Sequence, residues 1–167
     1  MNNNIILIGM PGSGKSSVGV IIAKSLGMDF LDLDLLIQSR EGALLQDILD
    51  KVGMDGFLEI EADAVCSISP ANAVIAPGGS AVLCQRGAEH LKKLGKVVYL
   101  RTSVEDLENH LNNLSSRGVA RKPGQTIADV YRYRAPFYEK YADITIDTAG
   151  QTLPQTVEAV LDAIRNK

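Results

Sequence analysis

The chain has 167 residues, with 46% apolar and 22% charged side chains and a net charge of −3. That length suits a single domain able to bury its own core, and the composition excludes a disordered chain. The mild acidity argues against a nucleic-acid partner, and no apolar run reaches the roughly 18 residues of a membrane span. Met1-Asn2-Asn3-Asn4 also lacks the basic segment of a secretory signal, so a cytoplasmic protein is expected. Cys66 and Cys84 form no C-x-x-C pair and read as reduced thiols, Cys66 in an apolar helical run and therefore in the core.

Short apolar runs predict strands over residues 5–8, 30–31, 73–76, 97–100 and 144–146. They are uninterrupted rather than alternating, the pattern of strands covered on both faces. Helical spacing marks residues 16–26, with Val18, Ile21, Ile22 and Leu26 on one face and Gly27 as stop signal, and residues 44–52, halted by Gly53. Residues 126–141 and 153–164 add two more helices. This strand–helix alternation implies a parallel α/β sheet with helices on both sides, in one domain. Residues 112–125 are polar and rich in breakers, with cations at Arg117, Arg121 and Lys122. They read as a loop, and at about 14 residues such loops are usually functional or disordered; the plain alternative is a solvated connection.

The strongest motif is Gly9-Met10-Pro11-Gly12-Ser13-Gly14-Lys15-Ser16, followed by Ser17. It leaves the first strand and opens the first helix, as G-x-x-x-x-G-K-[ST] requires. Gly12, Ser13, Gly14, Lys15, Ser16 and Ser17 are the nucleotide-binding candidates. Backbone N–H groups and a helix N-terminus converge there on phosphate oxygens, Lys15 reaches the β- and γ-phosphates, and the Ser16 hydroxyl can ligate Mg²⁺. The competing reading is a glycine-rich turn that matches by chance. No Asn-Lys-x-Asp motif points to a guanine-reading switch. Asp32 and Asp34 flank Leu33 at the end of the second strand, and two carboxylates two apart on an extended segment share one face. Their plainer role is to cap the next helix.

Taken with further blocks, the sequence resembles the shikimate kinases, of the nucleoside-monophosphate-kinase-like P-loop fold. The resemblance runs from Ile6 to about Ile164. Beside the phosphate loop and Asp32-Leu33-Asp34 it rests on Arg40-Glu41-Gly42, Phe57 with Glu61, and Pro77-Gly78-Gly79. Arg117, Arg134-Ala135-Pro136-Phe137-Tyr138 and Ala142-Asp143-Ile144 complete it. It implies a three-layer α/β/α fold on a five-stranded parallel sheet ordered 2-3-1-4-5, with an acceptor-binding region at about 33–63 and a lid at about 112–125. It also implies an ATP-dependent kinase that phosphorylates a hydroxyl of a small-molecule acceptor, with shikimate expected, and acts as a monomer in aromatic amino-acid biosynthesis. Lys15, Asp34 and Arg117 would be catalytic, and Ser16 and Asp32 would hold Mg²⁺. Asp34, Gly78, Gly79 and Arg134 would bind the acceptor, and His110 and Pro154 would flank adenine.

Two departures bear on the acceptor. Where the family has an arginine after the phenylalanine this chain has Leu58, and its third glycine is Ser80, so a hydroxymethyl group intrudes where backbone should approach the acceptor. Losing a charge-assisted hydrogen bond costs roughly 1.5–3 kcal/mol. Residues 29–63 also hold ten carboxylates against Arg40 and Lys51, a field that disfavours an anion. The alternatives are therefore a related kinase for another polyol or hydroxy acid, or a non-catalytic nucleotide-binding regulator. Glu61, deprived of the arginine, is expected to turn to Arg134. Tyr131, Tyr133, Phe137, Tyr138 and Tyr141 read as helix-docking residues, and His90 as a solvated one.

Overall fold

A computed structural model describes residues 3–112 and 119–166. Five parallel strands, β1 (Asn4–Ile8), β2 (Asp29–Asp32), β3 (Ala73–Ala76), β4 (Gly95–Arg101) and β5 (Ile144–Asp147), form one sheet ordered β2-β3-β1-β4-β5. The helices are α1 (Lys15–Leu26), α2 (Leu33–Glu41), α3 (Leu45–Cys66), α4 (Gln85–Leu94), α5 (Val104–Asn112), α6 (Ile127–Tyr141) and α7 (Leu153–Arg165), with a 3₁₀ turn at Ala81–Leu83. The sheet order is the expected one.

Successive strand residues point to opposite faces, and the core divides accordingly. Ile6, Ile8, Ile75, Val97 and Tyr99 pack with Val65, Leu91 and Tyr138 on one side. Ile5, Leu7, Val74, Val98 and Leu100 pack with Val18, Ile22, Val157 and Val160 on the other. Burial on both faces holds for β1 and β3 but not for the edges: Asp29 of β2 and Thr145 and Asp147 of β5 are exposed. A third, small core of Ile37, Ile48, Phe57 and Ala64 ties α2 to α3.

Several expectations need correction. Asp34 is not on an extended segment: β2 ends at Asp32, and Asp34 lies in the first turn of α2. The helix expected to halt at Gly53 does break there (φ 74°), but helical turns resume beyond it and α3 continues to Cys66. Cys66 is exposed rather than in the core, and Ile21 faces solvent more than Val18 and Ile22 do. His90 is half-buried, with a ring nitrogen 2.9 Å from the carbonyl of Ile68. Asn112, the first residue of the loop expected over 112–125, belongs instead to α5, and residues 113–118 of that stretch lie outside the described residues. No helix among the described residues is long and apolar enough to cross a membrane.

The carboxyl ends of β1, β2 and β3 lie side by side. There the connections from β1 and from its neighbour β4 run to opposite sides, the position at which open α/β sheets bind ligands.

Candidate active site

A cavity of about 260 Å³ opens at that edge. Its near side is the glycine-rich loop and helix start, Pro11, Gly12, Gly14, Lys15, Ser16 and Ser17; its far side is built from Asp32, Asp34, Pro77, Gly78, Gly79, Ser80, Glu61 and Arg134. Gly12 (φ 82°) and Gly14 (φ 87°) hold the left-handed backbone that turns the chain from strand into helix. Gly14 caps α1 without a side-chain hydrogen bond, and the first turn carries no acidic residue. The helix dipole and uncapped N–H groups therefore face the cavity as an anion site.

Lys15 is 8% exposed and donates to the carbonyls of Gly9 (2.9 Å) and Met10 (2.8 Å). Burial lowers its pKa to about 8, against the pull of Asp34 and Glu61. Ser16 Oγ donates to Asp32 Oδ2 at 2.8 Å, while Asp32 Oδ1 caps α2 by accepting from the amides of Asp34 (2.9 Å) and Leu35 (3.3 Å). Asp32 therefore caps the helix, the plainer of its expected roles, and also accepts from Ser16.

Two hard oxygens 2.8 Å apart suit adjacent positions of an octahedral Mg²⁺, whose edge is about 2.9 Å for bonds near 2.05 Å. Among the described residues no cluster of three or more His, Cys, Asp or Glu side chains is arranged around a metal. Mg²⁺ sites commonly use one or two carboxylates and fill the shell with water and phosphate.

The far side is assembled by close approach. A Cβ at Gly78 would overlap Glu61 Oε1 and lie 3.0 Å from Asp34 Oδ1, and one at Gly79 would lie 2.5 Å from Pro11 Cδ. Only glycines let this turn sit between the phosphate loop and the two carboxylates.

Glu61, 1% exposed, does not turn to Arg134: no such ion pair forms among the described residues. Its Oε2 accepts a hydrogen bond from Ser80 Oγ, and its Oε1 has no hydrogen-bond partner among the described residues. Burial, with Asp34 nearby, pushes its pKa up to about 7 against the opposing effect of Ser80. The Ser80 hydroxymethyl is thus buried and turned to Glu61 rather than simply intruding on the cavity.

Arg134, 2% exposed, donates through Nη2 to Ala120 O, and its Nη1 has no partner among the described residues. A buried guanidinium nitrogen without an acceptor is matched by an anion.

Other expectations fall differently. Leu58 is half-buried and does not line the cavity, so no apolar group faces an acceptor there. Of the ten carboxylates, only Asp32, Asp34 and Glu61 line it; Glu59 and Asp63 are exposed and paired with Arg86. Ser13 is buried behind the loop, and His110 and Pro154 are exposed outside the cavity. Arg117 lies outside the described residues.

Sequence reading missed Leu35, Gln38, Leu44, Leu45 and Gln46, which line the opening. Gln38 Oε1 accepts from Leu45 N at 3.1 Å and so steadies the start of α3, whose own N-cap residue, Leu44, has no side chain able to cap it. An amide in α2 seven residues before a helix that starts without a capping side chain was the available signal.

The family model described as shikimate kinase matches residues 11–165. A shikimate kinase of Thermodesulfovibrio yellowstonii is 37% identical over 95% of this chain and 92% of its own. One of Moorella thermoacetica is 38% identical over 99% of this chain and 96% of its own. Among solved structures, shikimate kinase from Acinetobacter baumannii in complex with shikimate superposes with a TM-score of 0.90 at 32% identity, covering 98% of this chain and 93% of that one.

Proposed function

The chain belongs to the shikimate kinase family, and we propose that it transfers the γ-phosphoryl of ATP to a hydroxyl of shikimate, giving shikimate 3-phosphate. The observation that carries this reading is the pairing, in one cavity, of an uncapped phosphate-loop helix with a buried guanidinium nitrogen that lacks an acceptor. The first suits a nucleotide triphosphate and the second a small carboxylic acid.

Gly12, Ser13, Gly14, Lys15, Ser16 and Ser17 are assigned to the phosphates, with Ser13 acting through its backbone because its side chain is buried and does not line the cavity. Asp34 is assigned to orient the acceptor hydroxyl and take its proton. Two of the three Lys15 ammonium donors are held by the loop carbonyls, which leaves one for charge developing on the γ-phosphoryl. Phosphate charge also opposes the effect of burial and keeps the ammonium protonated. Ser16 and Asp32 would hold Mg²⁺, which would neutralise charge on the phosphate oxygens. Arg117 is assigned on resemblance alone to clamp the transferring group.

Arg134 pairs with the acceptor carboxylate, and Gly78 and Gly79 offer backbone to it. The region 33–63, as α2 and α3, supplies Asp34, Phe57 and Glu61 and is assigned to the acceptor. His110 and Pro154 are assigned to the adenine. The loop before α7 is tied to α5 by a 2.9 Å hydrogen bond from Gly150 N to Asp106 Oδ2, which supports both flanking one space beside the phosphate loop. We assign the enzyme to the cytoplasm as a monomer.

The test is ADP release with Mg²⁺ and ATP, without acceptor, with shikimate, and with a panel of polyols and hydroxy acids. Stimulation by shikimate with a sub-millimolar KM is expected. Stimulation by another hydroxyl compound alone would mean a re-aimed acceptor site. No turnover with any acceptor, alongside nucleotide binding, would favour the regulator.

A further inference from the structure

The turn Pro77-Gly78-Gly79-Ser80 lines the cavity between Pro11 and the carboxylates of Asp34 and Glu61, and its carbonyls at Gly78 and Ser80 accept from the amides of Ala81 (3.2 Å) and Leu83 (3.0 Å). Those bonds are local, and two side-chain hydroxyls tie the turn to neighbouring elements. From α6, Tyr138 Oη donates to the carbonyl of Gly79 and lies 3.8 Å from Met10 Sδ of the phosphate loop. From the turn itself, Ser80 Oγ donates to Glu61 of α3.

Tyr138 is 1% exposed and its ring stacks on Tyr99 with centroids 5.1 Å apart, so the hydroxyl is held at a fixed height above the sheet. It follows Arg134 by four residues, one helical turn, and therefore shares its face of α6. The guanidinium of Arg134 lies beside the same hydroxyl and counters part of the upward push that burial gives its pKa.

We propose that Tyr138 and Ser80 are positioning residues for acceptor binding, two hydroxyls that clamp the Pro77–Ser80 turn and fix the Gly78 and Gly79 backbone relative to Arg134. Neither hydroxyl needs to touch the acceptor. Tyr138 links the peptide that approaches the acceptor to the helix carrying the guanidinium that reads its carboxylate. Ser80 holds Glu61 against Gly78, in the place where a larger residue at that position would put its Cβ. A turn freed on one flank would sample positions in which the glycine N–H groups no longer converge on the ligand, weakening acceptor binding while leaving the phosphate loop intact.

The inference rests on the acceptor assignment above, and the experiment separates the two. Tyr138→Phe keeps the ring and its stacking on Tyr99 and removes only the hydroxyl; Ser80→Ala does the same on the other flank. Amide hydrogen exchange of the ligand-free enzyme should accelerate in the peptide spanning residues 77–80 in both variants, with α1 and the central strands unchanged. Steady-state kinetics should show KM for shikimate raised about tenfold, with KM for ATP within about twofold. Unchanged exchange in both variants overturns the clamp, as does KM for shikimate left at the wild-type value. A merely structural role predicts lowered Tm and lowered kcat with both KM values preserved, and that result also overturns it. Should wild type not turn over shikimate, the acceptor assignment fails, and hydrogen exchange still decides the clamp.

Discussion

The two halves of the cavity are built on different principles. The phosphate half is one continuous stretch, residues 9–17, whose chemistry is mostly backbone: uncapped N–H groups, left-handed glycines and a helix dipole, with Lys15 tied to carbonyls five and six residues away. The acceptor half is drawn from α2, α3, the turn after β3 and α6, and apart from the Gly78 and Gly79 backbone its chemistry is side chain. Its central contact, Ser80 to Glu61, spans 19 residues, and Tyr138 to Gly79 spans 59. Backbone chemistry tolerates little sequence change, because the residue types are set by conformation. Side-chain chemistry can be rewired by paired changes, and Leu58 with Ser80 fits such a change.

This division predicts that the halves fail separately. Asp34→Asn should lower kcat by about 10²–10⁴-fold, the usual contribution of a positioned base. It should leave the ATP-dependent rise in Tm within about a degree of wild type. Loss of the ATP response in this variant would show that the halves are not independent.

Next in size, Arg134→Ala should raise KM for shikimate about 10- to 100-fold with a smaller effect on KM for ATP, the loss expected for one charge-assisted pair. Equal effects on both substrates, measured by varying each at saturating levels of the other, would contradict the assignment of Arg134 to the acceptor.

The pH dependence should also split. Burial holds Lys15 near 8 in the free enzyme, so kcat/KM for ATP should fall as pH rises through about 8. Stability moves the other way: between about 8 and 10.5 the unfolded chain holds the lysine proton that the fold has released, so folding gains as pH rises.

Glu61 has the opposite sign. Its pKa is raised from 4.5 to about 7, chiefly by burial, so its contribution to stability is full below about 4.5 and is lost as pH rises through about 7. Asp34 adds to that rise, while Arg134, Lys15 and the Ser80 hydroxyl oppose it. Glu61→Gln should flatten the fall of Tm between pH 5 and 7. A parallel fall in the variant would place the titration elsewhere.

The smallest effect sharpens the comparison most. Leu58→Arg alone should change kcat/KM for shikimate by less than about threefold, because Ser80 already holds Glu61. The double variant Leu58→Arg with Ser80→Gly should exceed the sum of its singles, since an arginine at 58, three residues from Glu61 on α3, would compete with Ser80 for that carboxylate. Strict additivity in a double-mutant cycle would mean the two positions are independent.

What the sequence made legible follows the same line. The strands and their order were readable because buried parallel strands are continuous apolar runs and because the resemblance supplied the order. The phosphate loop was readable because its parts are adjacent in the chain. Asp32 and Asp34 were found, but their shared face was attributed to an extended segment when the helix start at Leu33 brings both to the cavity.

The pairing of Glu61 could not be read, since nothing in the spacing of residues 61 and 80 says that a turn and a helix meet there. The charge tally over residues 29–63 misled for a related reason. It counted carboxylates that point to solvent or pair with Arg86, whereas only those lining the cavity set its field. Leu58 drew attention as a missing cation, and its distance from the cavity lining was a matter of packing that no local pattern records.

The central claim is that Arg134 reads the acceptor's carboxylate while the phosphate loop works independently of it. The most direct measurement compares kcat/KM for shikimate and for its methyl ester in wild type and in Arg134→Ala. The account predicts a loss of about 10- to 100-fold for the ester in wild type and no difference between acid and ester in the variant. Equal use of ester and acid by wild type, or the same discrimination in the variant, would contradict it.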